Sequence, residues 1–107
     1  SREFRLKILA EDFRAAGTAV LDSLAEYAKE QPGWSIAPDN CEGVRVNLDK
    51  AHGDGWFLLR LSLHDPILPL NIESDREHGA RTIARELAPF LAQQTEIDAS
   101  SALEFTL

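Results

Sequence analysis

The residues of this chain best suited to chemistry lie in one stretch, Gly55-Trp56-Phe57-Leu58-Leu59-Arg60-Leu61-Ser62-Leu63-His64-Asp65-Pro66. Side chains alternate along a strand with period two, so Arg60, Ser62 and His64 are expected on one face. A guanidinium, a hydroxyl and an imidazole gathered there would form a donor set for phosphate, a charged fork with two shorter hydrogen-bonding arms. Pro66 is expected to turn the chain away and leave these groups at a loop mouth. A strand with a merely solvated polar face has the same spacing, so the pattern alone leaves both readings open. No catalytic residue is expected here, because Ser62, His64 and Asp65 lack the nucleophile elbow and oxyanion loop of a hydrolytic triad.

The remaining candidates point to structure more than to chemistry. Arg45 reads as a strand residue paired with a carboxylate. His52 in a turn and His78 in the first turn of the last helix have no Cys or carboxylate at ligand spacing, so no metal site is expected in this chain. Cys41 is the only cysteine; it rules out an internal disulfide and reads as a half-buried spacer after a turn. Trp34 and Trp56 are expected in packing. A net charge of −7 without a basic run argues against nucleic acid as a partner. No apolar run approaches the ~18 residues of a membrane helix, and no signal-peptide pattern opens the sequence. With its single cysteine, the chain is expected in the cytoplasm and not at a membrane.

These groups need a frame, and 107 residues allow one domain with one core, residues 1–107. Phe4, Leu6 and Ile8 alternate with Arg5 and Lys7, which predicts a half-buried strand. Phe13, Ala16, Val20, Leu24 and Tyr27 then recur at helical spacing over 11–30, until Pro32-Gly33 stops them. Val44 and Val46, then Trp56 to Leu63, make two alternating runs joined through His52-Gly53-Asp54-Gly55, a hairpin pattern. Leu70 to Glu73 alternates again, and Pro69 predicts either an edge strand or full pairing only beyond it. Ser74 to Glu77 fits a capping box opening a final helix, which Pro89 should kink or end. Residues 95–107 read as a possible tail, with 102–107 either tail or an extra strand. The expected fold is α+β, order β-α-β-β-β-α: a four-stranded, mainly antiparallel sheet with two helices on one face and the other face open. The chain, which starts at Ser1 and enters a strand almost at once, reads as a piece of a longer protein.

Glu42-Gly43-Val44-Arg45-Val46, the Gly55 to Ser62 run, Pro66 and Leu70-Asn71-Ile72-Glu73-Ser74 together resemble the C-terminal domain, the fourth of four, of the α-D-phosphohexomutases. This is the phosphomannomutase and phosphoglucomutase family. That domain carries an Arg-x-Ser-Asn-Thr-Glu-Pro-type loop between a Gly-Val-Arg-Val-like strand with a Gly-Trp and a Leu-Asn-Val-Glu-like strand with a closing helix. The likeness runs from about Glu42 to Leu91.

The resemblance implies that Arg60 and Ser62 bind the phosphate that is not being transferred, while the domain closes over the sugar phosphate. Leu63 stands where the family has Asn or Gly and offers only its backbone N–H. His64 replaces Thr and keeps a donor, and Asp65 replaces Glu. It also implies hexose phosphate (mannose or glucose 1- or 6-phosphate) and the preceding domains of the same chain as partners. It gives no cofactor in this domain, with Mg²⁺ and a phosphoserine in the earlier ones, so the isolated domain is not expected to turn over substrate. The acidic charge and the Leu63-His64 departure keep an alternative open, a non-catalytic protein-interaction module using the open face or an edge strand.

Overall fold

The computed structural model describes residues 1–38 and 43–107, so the Cys41 reading and the Pro38-Asp39-Asn40 turn fall wholly or partly outside the described residues. Its elements are β1 (Arg2–Ile8), α1 (Phe13–Lys29), β2 (Trp34–Ile36), β3 (Gly43–Leu48), β4 (Gly55–Arg60), β5 (Ile67–Ser74), α2 (Gly79–Gln93), β6 (Ile97–Asp98) and α3 (Ser100–Phe105), with a 3₁₀ turn at Lys50–His52. The strands form one antiparallel sheet in the order β2-β3-β4-β5-β1-β6.

Alternation builds it. Leu6, Val46, Phe57, Leu59, Leu68, Leu70 and Ile72 are 0% exposed and face the helices. Burying each such large side chain contributes roughly 1.5–3 kcal/mol. Leu24, Ile83 and Leu87 meet them from the helices in one continuous core. Asp12 caps α1, its Oδ1 accepting the Ala15 N–H at 3.1 Å. The β3–β4 hairpin forms where expected, with Gly53 (φ 118°) and Asp54 (φ 54°) supplying the left-handed backbone of its turn.

Several expectations need correction. Among the described residues the sheet has six strands, not four. Trp34–Ile36 pairs with β3, and the presumed tail from residue 95 holds β6 and α3 instead. Ala99, Ala102 and Phe105 recur at helical spacing, and the Phe105 ring packs against Phe4 at 5.5 Å, which gives this stretch a core-facing side. The capping box at Ser74 does not form. Ser74 still belongs to the ladder, opposite Gly55, and its hydroxyl donates to the Gly53 carbonyl at 2.6 Å. The helix therefore starts at Gly79, behind His78 with φ 63°. Pro89 neither ends nor shortens that helix, which runs to Gln93. Proline there removes one bond to the Arg85 carbonyl, and both residues are exposed, so water can satisfy it.

β5 lies in the interior of the sheet, and its proline is accommodated as the second expected option. The β4–β5 ladder runs from Gly55–Ser74 to Leu59–Leu70 and stops one pair short of Pro69. The helices all lie against the inward side. The outward side carries Arg45 of β3, Trp56, Leu58 and Arg60 of β4, Asn71 and Glu73 of β5, and Glu3, Arg5 and Lys7 of β1, by the register of the strands.

Candidate functional site

Arg60 is the last residue of β4, half-buried on the outward face beside Gly43 of β3. Continuing the ladder would set it opposite Pro69, which has no N–H to give, so strand pairing ends and a loop begins. The expected face shared by Arg60, Ser62 and His64 is therefore not a strand face. Residues 61–66 form a bend, and period-two alternation no longer orders them. Arg60 and Ser62 stay close in the chain at the mouth, Leu63 and His64 lie on its exposed outer rim, and Leu63 is 67% exposed.

Four hydrogen bonds fix this loop. The Ser62 N–H donates to the Ile67 carbonyl at 3.1 Å, and the Ile67 N–H to the Asp65 carbonyl at 2.7 Å. The Ile8 N–H donates to the Pro66 carbonyl at 2.7 Å, tying the loop to the end of β1. Arg14, in the first turn of α1, donates from Nη2 to the Leu63 carbonyl at 2.9 Å. Beneath the loop, Leu61 packs into the core where α1 carries Gly17. A Cβ on Gly17 would stand 2.6 Å from Leu61 Cδ1 and 3.2 Å from Ile8 Cδ1, so a side chain there would make Leu61 give way.

The donors of the loop have few internal claims on them. Among the described residues the Arg60 guanidinium, the Ser62 hydroxyl and the His64 imidazole have no hydrogen bond or ion pair. The backbone N–H groups of Leu63 and His64 likewise donate to no protein acceptor. Such groups must be bonded by water or by a ligand. Arg14 is the residue of this region that spacing did not reveal. It looked like one more exposed helix residue, and only its distance to Leu63, 49 positions away, brings it here.

The other candidates settle as structural groups. Arg45 stacks on the Trp56 ring with its guanidinium carbon 4.1 Å from the centroid. Trp34 is buried, with Nε1 donating to Glu86 at 3.0 Å. His52 bonds Asp49 at 2.6 Å through Nδ1; that bond raises the His52 pKa from its ordinary 6.5 and lowers that of Asp49 from 3.8. Asp98 is lowered as well, chiefly by its hydrogen bonds with Ser100. No group of three or more His, Cys, Asp or Glu among the described residues could hold a metal ion, so the Mg²⁺ implied for the longer protein has no fitting site here. No described helix is long and apolar enough to cross a membrane.

No protein-family model matches the chain. Over 58 residues it is 34% identical to a probable phosphoglucosamine mutase of Methanopyrus kandleri. The similar stretch is 54% of this chain and only 12% of that protein. That protein is a phosphohexomutase by name.

Proposed function

We propose that this chain is the sugar-phosphate-binding, C-terminal domain of a phosphohexomutase, an isomerase that moves phosphate between the 1- and 6-positions of a hexose. One observation supports this above the rest: the Arg-x-Ser loop that resembles the family's phosphate loop carries a guanidinium, a hydroxyl and two backbone N–H groups with no protein acceptor. Arg60 would supply the charged fork, Ser62 its hydroxyl, and Leu63 and His64 their amides, with the His64 ring as a further donor. Leu63 loses nothing by its apolar side chain in this scheme, since its contribution is backbone.

The work of such a domain is positioning. It holds the phosphate that is not reacting and closes the site over the sugar, and orientation supplies much of the rate in phosphoryl transfer. The hexose must also be re-gripped by its other end between two half-reactions, which requires a hold on phosphate that is indifferent to the sugar carbon bearing it. A grip made of guanidinium, hydroxyl and amide donors to phosphate oxygens would suit that need. The hexose is glucose, mannose or, from the name of the similar protein, glucosamine.

A titration of the 107-residue chain with the 6-phosphates of these three sugars, followed by amide and Arg side-chain NMR, tests the reading. Saturable shifts centred on Arg60 to Pro66 are expected, and their loss in Arg60→Ala. A loop that stays silent at high ligand would reject it and favour the second reading, a protein-interaction module. That reading draws on the sheet face that the described helices leave uncovered, where Arg45 stacks on the half-buried Trp56 ring.

A further inference from the structure

At the opposite end of the sheet, Ser1 and the start of β1, the link from β5 into α2 and the end of α3 line an open cavity of about 220 Å³. Arg2, Arg76, His78 and Arg81 all line it, and no carboxylate does. The chain as a whole carries 18 Asp and Glu against 11 Lys and Arg, so a purely basic cavity runs against its composition. Three arginines from segments more than seventy positions apart meet here only because the sheet brings β1 next to β5.

Each guanidinium is anchored by part of itself. Arg81 donates from Nε to the Phe105 carbonyl at 3.1 Å, and Arg76 from Nη1 to the Lys50 carbonyl at 2.7 Å. The Arg2 and Arg81 guanidinium carbons lie 4.8 and 5.2 Å from the centroid of the same Phe105 ring. Among the described residues none of the three pairs with a carboxylate. His78 has its one acidic contact with its neighbour Glu77, at 3.6 Å and well exposed. Neutral carbonyls and a ring face hold these cations in place without neutralising them, and like charges brought together gain strongly from an anion between them.

We propose that this cavity is a second anion site, taking a small tetrahedral oxyanion, phosphate either free or as a monoester of a small metabolite. Guanidinium forks suit phosphate oxygens, and several forks around one centre suit a tetrahedral dianion better than a planar carboxylate. The only large apolar surface among its lining residues is Phe105, already occupied by arginines, so the ligand is small and polar. The site lies roughly 17 Å from the Arg60 loop, the length of β4. A hexose phosphate filling one cannot occupy the other.

The test is a titration of the 107-residue chain with inorganic phosphate and, separately, with glucose 6-phosphate, reading the Nε–H signals of Arg2, Arg76 and Arg81. Saturable shifts are expected there, with Arg2→Gln weakening the affinity about tenfold through loss of one charged contact. The Arg2 side chain makes no hydrogen bond among the described residues and the variant loses only its stacking on Phe105, so it should melt within a few degrees of the parent. Arg60→Ala should leave these shifts unchanged, which separates this site from the loop. Tighter binding of the ester assigns the site to monoesters, and tighter binding of inorganic phosphate assigns it to the free ion. Silence to about 20 mM, equal shifts with chloride at matched ionic strength, or an unaltered affinity in Arg2→Gln would overturn the proposal.

Discussion

The two ends of the sheet gather positive charge by different means. At the end of β4, one arginine stands beside a hydroxyl and unclaimed amides in a single six-residue loop. At the start of α2, three arginines from two distant segments converge, and nearly all the donors are side chains. The first arrangement depends on backbone shape and so on whatever fixes the loop; the second depends on strand register and on α3 staying seated. Local sequence can therefore announce a backbone site, whereas a site made by register is visible only once the strands are paired.

The largest effect that would separate the two ends is catalytic. On the proposed function, Arg60→Ala in a full-length phosphohexomutase carrying this chain should lower kcat/KM for hexose phosphate by about 10² or more, as expected for loss of a charge-assisted phosphate contact. Arg2→Gln should change it by less than about threefold under the same assay. A fall of less than threefold for Arg60→Ala would remove that residue from the mechanism. Gly17→Val comes next: it drives a branched side chain into Leu61 and should cost about 1–3 kcal/mol in denaturant unfolding. In the variant, amide signals should move at Leu61 to Ile67 and stay in place at Ala80 and Arg81. Movement at both ends would mean the loop is not separately supported.

Arg14→Ala should cost less, under about 1 kcal/mol, because its bond to Leu63 is exposed. Its signature is faster hydrogen exchange in the loop with an unchanged α2. The smallest effect is on pH, at the α2 end. The raised His52 pKa makes its contribution to stability fully present below the ordinary 6.5 and lost as pH climbs through the raised value. The lowered Asp49 pKa makes its contribution present above 3.8 and lost as pH falls through the lowered value. The pair therefore stabilises most between these limits. Thermal melts of the parent and of His52→Gln should differ most at about pH 5 to 6 and converge in mild alkali, and a gap that widens with pH would refute the pairing.

Much of this was readable in the chain. Alternation in Phe4 to Ile8 and Trp56 to Arg60, and helical spacing in Phe13 to Tyr27, reflect burial on one side, which sequence records directly. The loop after Arg60 was expected at the end of a strand, but alternation was carried past Arg60 to His64, where residues 61–66 in fact bend. The stop is set by Pro69 on the neighbouring strand, a pairing that local spacing does not carry. Ser74 resembled a cap because Ser and Glu stand at the right interval, yet its pairing with Gly55 and its bond to Gly53 hold it in the sheet. β2 and β6 were missed because three and two residues are too few to show a period. Arg14 and the Arg2, Arg76 and Arg81 group were invisible for a simpler reason: each is defined by contacts across the fold.

Those two brief strands have a consequence for assembly. They form both flanks of the sheet, so an incoming extended segment would find only a few backbone groups to bind before the template ran out. Lateral growth by strand addition is thereby discouraged on either side.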